Sequence, residues 1–73
     1  MADNISFEIK KHLGTIYTSR NGWRKEVNIV AWNGSKGKID IRTWSPDHEH
    51  MTKGVTLTEK EAAKVAEILS SVL

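Results

Sequence analysis

Two Asn-Gly pairs, Asn21-Gly22 and Asn33-Gly34, divide the first half of this chain and constrain its fold more than any other feature. Asn and Gly adopt the positive φ angles of tight hairpin turns, so such a pair between apolar runs predicts a β-hairpin. The segment between the pairs, Trp23–Trp32, is rich in aromatic and β-branched residues, which favour strands. The spacing therefore predicts an antiparallel sheet with this segment as its second strand.

Three more stretches of the chain have strand character. Pro46 ends one of them, because proline cannot donate a hydrogen bond to a sheet ladder. A polar loop then precedes the last and shortest stretch. The predicted strands beside the second one are a first strand made of Ile5–Ile9 and Leu13–Ser19, a third at Lys38–Trp44, and a short fourth at Gly54–Leu57.

The hydrophobic period changes from that of a strand to that of a helix at Thr58. Thr58 and Glu61 have the spacing of a capping box, which predicts a helix N-terminus. Apolar residues then recur at helical spacing on one stripe: Ala62, Val65, Ala66, Leu69 and Leu73, widened by Ile68 and Val72. The predicted fold class is α+β, one domain over residues 1–73 with four antiparallel strands followed by one C-terminal helix.

Side chains alternate across a strand, so residue parity assigns each one to a face of the sheet. With residues 33–37 as the loop, the register predicts Trp32 opposite Lys38 and Asn28 opposite Arg42. One face then carries aliphatic residues and is the expected floor for the helix; we call it the aliphatic face (Val27, Ile29, Ile39 and Ile41).

The opposite surface combines aromatic and basic residues. A two-residue turn at Asn21-Gly22 would pair Tyr17 with Glu26 and place Tyr17 on this surface. We call it the aromatic face: Tyr17, Trp32 and Trp44 with Arg24, Lys38 and Arg42. A bulge between Lys10 and Gly14 is expected to turn Phe7 and Ile9 away from it, into the core.

Aromatic rings stack on any base and cations follow the phosphates, so the aromatic face suits single-stranded nucleic acid. Glu26 and Asp40 lie on the same face, where they are expected to accept hydrogen bonds from Arg24 and Arg42 and hold them in place. The alternative interpretation is that Trp32 and Trp44 pack against a partner protein or against each other. We expect Trp32→Ala and Arg42→Ala to weaken strand binding without unfolding the chain.

Two motifs at a fixed separation resemble a known family. Lys36-Gly37-Lys38-Ile39-Asp40-Ile41-Arg42 and then Lys53-Gly54-Val55-Thr56-Leu57, just before a terminal helix, resemble the transcriptional positive cofactor 4 family. Its bacterial YdbC-like branch looks most similar, through Gly22-Trp23-Arg24-Lys25-Glu26 and through residues 41–49. The resemblance covers nearly the whole chain.

The resemblance implies a homodimer that binds single-stranded DNA along a curved sheet. Position by position, it implies contacts from the second-strand aromatic, the basic residues after it, the arginine and tryptophan of the third strand, and the lysine before the glycine. These are Trp32, Lys36, Lys38, Arg42, Trp44 and Lys53, to which the analysis of the faces adds Arg24 and Tyr17.

Composition excludes several other classes. Seventy-three residues suffice for one small domain, and 27% charged with 38% hydrophobic residues is typical of a folded, soluble one. No apolar run approaches the ~18 residues of a membrane span, and Met1-Ala2-Asp3-Asn4 does not predict a signal peptide. The absence of cysteine excludes disulfides, thiolate metal sites and cysteine nucleophiles. We expect a cytoplasmic protein, nucleoid association included, with no membrane partner.

Size and charge distribution indicate partners. A domain below roughly 70–80 residues seldom buries enough surface alone, so oligomerisation is expected. Residues 1–45 hold eight Lys/Arg and four acids, whereas residues 46–73 hold three lysines and five acids. The first part is therefore expected to present a basic surface.

The sequence patterns that would indicate a catalytic site or a metal-binding site are weak. His48 and His50 flanked by acids, with His12 as a third ligand, form a metal site less often than a solvated loop. Ser45 and His48 lack the third group and oxyanion loop of a hydrolase. The sequence predicts no enzyme, no metal and no cofactor. The predicted function is sequence-tolerant single-stranded DNA binding in transcription, replication or repair, with RNA binding or a protein-docking module as alternatives.

Overall fold

The structure is a computed structural model that describes residues 6–73. Met1–Ile5 lie outside this range, including the predicted start of the first strand at Ile5 and the segment for which no signal peptide was predicted. Four strands form one antiparallel sheet in sequence order, followed by one helix: β1 Phe7–Thr18, β2 Arg24–Trp32, β3 Lys38–Trp44, β4 Val55–Leu57 and α1 Glu59–Ser70. The predicted order of elements is confirmed, and the sheet is curved and open.

One of the two Asn-Gly turns forms as predicted. Asn33 and Gly34 both have positive φ, at 51° and 77°, and the Ser35 N–H donates to the Trp32 carbonyl at 2.9 Å. The other turn is longer than the two residues predicted. The Ser19 N–H donates to the Trp23 carbonyl at 2.7 Å, and Gly22 alone takes the positive φ, at 90°.

The register of β2 against β3 differs from the prediction by two residues. Val30, not Trp32, lies opposite Lys38, and Asn28 lies opposite Asp40. Because a shift of two residues preserves the alternation, every residue of these two strands stays on its predicted face.

The register of β1 moves Tyr17 to the aliphatic face. The loop after β1 is one residue longer than predicted, so Tyr17 pairs with Lys25 instead of Glu26. A one-residue slip sends a side chain to the other face of the sheet. The placement of Tyr17 on the aromatic face is therefore wrong, and its ring is 63% exposed on the opposite side.

A bulge near Lys10 exists, but it is one of three in β1. The pairing shifts between Ile9 and Lys11, between His12 and Gly14, and between Thr15 and Tyr17. With the one-residue slip at the loop, these three bulges make four one-residue shifts, and every second shift returns the side chains to their original face. Phe7 therefore lies opposite Trp32 and Ile9 opposite Val30, on the aromatic face and not on the side predicted from a single bulge.

The helix begins where predicted but does not cover the aliphatic face. Thr58 Oγ1 accepts from the Glu61 N–H at 3.1 Å, and Glu61 Oε1 accepts from the Thr58 N–H at 2.9 Å, which completes the capping box. Among the described strands, β3 and β4 are the ones that the helix contacts, and none of the helix residues is buried. Its apolar stripe and the aliphatic face both remain accessible within one chain.

The core lies on the aromatic face instead. Val30 and Trp44 are fully buried there, as are the polar side chains of Asn28 and Asp40. No helix among residues 6–73 is long and apolar enough to cross a membrane.

Candidate nucleic-acid interface

Trp44 is the central buried ring of the aromatic face. Its centroid lies 5.2 Å from that of Phe7 and 5.7 Å from that of His48, in tilted arrangements. The side chain is 0% exposed. Trp44 lies on the face that the sequence predicts, but its neighbours leave no accessible ring surface on which a base could stack.

Trp32 occupies the accessible part of the same face. It is half-buried at the end of β2, and its ring centroid lies 5.9 Å from that of Phe7. The guanidinium carbon of Arg42 lies 4.6 Å from the Trp32 ring centroid, a cation–π contact. Trp32 therefore packs against Phe7 and Arg42, while the residue as a whole remains partly exposed.

A buried ion pair fixes Arg42. Its Nε and Nη2 donate to the two carboxylate oxygens of Asp40 at 2.6 and 2.8 Å, a bidentate pair. Thr56 Oγ1 donates to the same carboxylate at 2.8 Å, which ties β4 to β3. The predicted Arg42–Asp40 interaction is confirmed, but it leaves the Arg42 side chain only 13% exposed.

Exposed cations lie on the aromatic face and in the two loops next to it. Lys38 is exposed on the aromatic face opposite Val30, and Lys36 is exposed in the preceding loop. Arg42 Nη1 donates to the Thr52 carbonyl at 3.3 Å, which brings the loop with exposed Lys53 next to this face. These three lysines, together with Arg24 at 42% side-chain exposure, are the accessible cations among the predicted site residues.

Five of the eight predicted residues share the aromatic face: Arg24, Trp32, Lys38, Arg42 and Trp44. Lys36 and Lys53 lie in neighbouring loops, and Tyr17 lies on the opposite face. The site therefore gathers most of the predicted residues, although burial divides them into accessible and supporting groups.

Glu26 is the centre of a polar network, of which sequence reasoning predicted the contact with Arg24 but not those with Asn28, His12 and His48. Glu26 is 3% exposed, and its Oε1 accepts from Asn28 Nδ2 at 3.0 Å. His48 Nε2 lies 3.0 Å from Oε2, and Arg24 Nε lies 3.4 Å from the same oxygen. His12 Nδ1 lies 2.7 Å from Asn28 Oδ1. Glu26 and Asn28 have the same parity in β2, which is a signal that they share a face. His12 and His48 come from β1 and from a loop distant in sequence, and no pattern in the sequence brings them to Glu26.

The network lowers the pKa of Glu26. Burial raises the pKa of this carboxyl group, but hydrogen bonds from Asn28 and His48 and the charges of His48 and His12 outweigh it. The net result is a pKa below the ordinary value of 4.5. The ionised carboxylate is therefore the form that the fold favours.

The lowered pKa predicts a loss of stability in acid. The folded chain binds fewer protons at Glu26 than the unfolded chain, so this stabilisation is complete above the unfolded value of 4.5. It is lost as the pH falls through the lower folded pKa. Urea denaturation of the wild type and of Glu26→Gln between pH 7 and pH 3 measures it. The difference in unfolding free energy should shrink toward pH 3, and a constant difference would contradict the prediction.

Within residues 6–73, no three His, Cys, Asp or Glu side chains are grouped so that they could hold a metal ion. The network around Glu26 is a hydrogen-bonded cluster.

The chain is a small domain with a curved four-stranded sheet, one C-terminal helix, and a tryptophan and cations on one face of the sheet. Residues 19–68 match the family described as Transcriptional Coactivator p15 (PC4). The chain is also 45% identical over 69 residues to an uncharacterized protein of Treponema pallidum (strain Nichols), covering 94% of this chain and 81% of that protein. The chain belongs to the transcriptional coactivator p15 (PC4) family, as its motifs predicted, and this membership supports DNA binding.

Proposed function

We propose that this protein binds single-stranded DNA as a homodimer, by stacking a base on Trp32 and by contacting phosphates with Lys36, Lys38 and Lys53. The observation that carries the proposal is the position of Trp32. Its side chain is half-buried and packs against Phe7 and Arg42, and the exposed Lys36 and Lys38 follow it in the loop and at the start of β3. Family membership supports the same ligand.

The physical basis is stacking on a preorganised ring. A base stacked on an aromatic side chain contributes about 1–3 kcal/mol and tolerates any sequence. Because Arg42 and Phe7 already hold the Trp32 ring, little side-chain entropy is lost when a base arrives. The lysines then track the phosphates of the unpaired strand.

Burial assigns supporting roles to two of the predicted contact residues. Trp44 is fully buried and supports the sheet beneath the platform. Arg42, paired with Asp40, positions the Trp32 ring and adds positive potential. Arg24 is 42% exposed on the same face and remains a proposed direct contact. Tyr17, on the aliphatic face, is not part of the proposed strand-binding surface.

Trp32→Ala is expected to weaken binding of a short oligo-dT about 5- to 100-fold, the loss of one stacking contact. Titration followed by intrinsic tryptophan fluorescence and by anisotropy of a labelled strand measures it. The matched control is Trp23→Phe, a tryptophan in the turn between β1 and β2, which should leave the affinity unchanged.

Salt and duplex controls distinguish the alternatives. Strand binding should weaken with log[salt] at a slope of about −0.7 per phosphate neutralised, whereas an aromatic protein-docking contact should barely respond. A duplex of equal length should bind more weakly than the single strand, and an RNA strand of the same sequence tests the RNA alternative. Equal affinity of Trp32→Ala and wild type would refute the proposed stacking.

The homodimer is supported by apolar surface that one chain leaves uncovered. The aliphatic face is only half-buried, and Tyr17 and Val55 lie exposed on its side of the sheet. The helix stripe is exposed as well, with Leu69 at 47% and Ile68 at 57%. A second copy presents the same surfaces, and a chain of 73 residues needs such additional burial.

Leu69→Glu is expected to convert the dimer to a monomer or to unfold it, because a charge would be buried in the apolar contact. Sedimentation or light scattering gives the mass, and circular dichroism shows whether the chain remains folded. Lys60→Gln, on the other side of α1, changes the net charge equally and should remain dimeric. A Leu69→Glu dimer as stable as the wild type would remove the helix stripe from the proposed interface.

For the cellular role we propose protection or presentation of exposed strands during transcription, replication or repair, in the cytoplasm or on the nucleoid. This role follows from the proposed ligand and from the family's coactivator description. Proteins of those processes are the proposed partners besides the strand itself.

A further inference from the structure

A polar cleft opens on the aromatic face beside the buried Trp44. It measures about 270 Å³ and is lined by Ile9, His12, Arg24, Glu26, Asn28 and His48. A water molecule occupies about 30 Å³ of liquid, so the cleft has room for a ligand of several ring atoms. The cleft lies on the face that is proposed to bind the strand, although base stacking on a flat surface needs no such cleft.

The cleft contains hydrogen-bonding capacity that the described residues do not use. Arg24 Nε is buried and makes no hydrogen bond among them, although it lies 3.4 Å from Glu26 Oε2 as an ion-pair contact. Glu26 Oε1 accepts from Asn28 Nδ2, and His48 Nε2 lies 3.2 Å from Oε1 and 3.0 Å from Oε2. An ionised carboxylate has about four lone-pair sites, which the hydrogen bonds of Asn28 and His48 do not fill completely. A buried donor thus lies next to a carboxylate with spare acceptor sites.

A ligand that satisfies both groups must present, on one edge, a hydrogen-bond acceptor for Arg24 and donors for Glu26. Every base offers some such pair, but guanine offers the largest set. Its O6 and N7 accept from arginine. Its N1–H and exocyclic amino group are two adjacent donors for a carboxylate. Adenine, cytosine and thymine present only one donor group each. A phosphate fits less well, because the Glu26 carboxylate would repel it.

We propose that the cleft binds one unstacked guanine of the strand, with Glu26 accepting from its N1–H and amino group and Arg24 donating to O6. This rests on the proposed single-strand binding and adds a preference at one position to an otherwise sequence-tolerant platform. Asn28 and His48 orient the Glu26 carboxylate, and Ile9 supplies an apolar wall for the ring.

The test compares oligo-dT strands of about 12 nucleotides that differ in one central base. A single guanine should tighten binding about 5- to 10-fold over thymine, the low end for specific base contacts. Inosine, which lacks the amino group, should give a smaller gain, and adenine none. The side-chain amide resonances of Asn28 should shift on binding the guanine strand and not the all-thymine strand.

Glu26→Gln should abolish the guanine preference while the all-thymine strand still binds. Glu8→Gln, an exposed carboxylate on β1, is the matched control and should keep the preference. Should Glu26→Gln fail to fold, the comparison of guanine, inosine and adenine on the wild type decides alone.

Two failures are distinguishable. Equal affinity for guanine and thymine strands would overturn the guanine site and leave single-strand binding intact. No binding of any strand would overturn the proposed function and the guanine site with it.

Discussion

Replacing Trp44 with alanine should lower the free energy of unfolding by about 3–5 kcal/mol, the cost of removing a large ring from a packed core. Trp44 is fully buried between Phe7 and His48, and its ring thereby joins the start of β1 to the loop after β3. Domains are stable by about 5–15 kcal/mol, and small ones lie at the low end. Trp44→Ala should therefore be largely unfolded in mild urea, as circular dichroism would show.

Trp32→Ala provides the contrast within the same face. Trp32 is half-buried, so its removal should cost less stability than that of Trp44 while reducing strand binding more. Trp44→Phe, which keeps an aromatic ring, should fall between the wild type and Trp44→Ala. If Trp44→Ala were as stable as Trp32→Ala, the assignment of Trp44 to the core would be contradicted.

The second large effect is expected at Asp40, whose carboxylate is fully buried between Arg42 and Thr56. Breaking a buried ion pair by removing one partner costs about 3–5 kcal/mol, because the other charge is left uncompensated. Asp40→Ala would leave Arg42, which is 13% exposed, without its bidentate acceptor. Urea denaturation should show this loss in the unfolding free energy.

A double-mutant cycle tests the same pair. Arg42→Met alone should also destabilise the chain, because it leaves the Asp40 carboxylate buried and unpaired. Asp40→Ala combined with Arg42→Met should lose clearly less than the sum of the two single changes. Additive losses would show that the pair does not act as a unit.

The same ion pair changes the expectation for Arg42→Ala. From sequence, this variant was expected to weaken strand binding without unfolding the chain. Because Arg42 compensates the buried Asp40, its loss should now reduce stability as well as binding. Trp32→Ala is therefore the cleaner test of the interface.

Local sequence determined the elements of this fold. The capping box at Thr58, the positive φ angles at Asn33-Gly34 and the end of β3 before Pro46 all depend on a few neighbouring residues. Alternation in β2 and β3 also fixed which residues share a face, because the observed register shift of two residues preserves it. The motifs of β3 and β4 identified the family for the same reason: they are contiguous in the chain.

Only the tertiary structure decided the faces of β1, the depth of each side chain and the place of the helix. One extra loop residue sent Tyr17 to the other side, and three bulges then determined where Phe7 lies. Phe7, which is distant in sequence, and His48, in the loop just after β3, bury Trp44 and leave Trp32 accessible. Residue parity within a strand assigns a side chain to a face, but the exposure of that side chain depends on what the rest of the chain places over it.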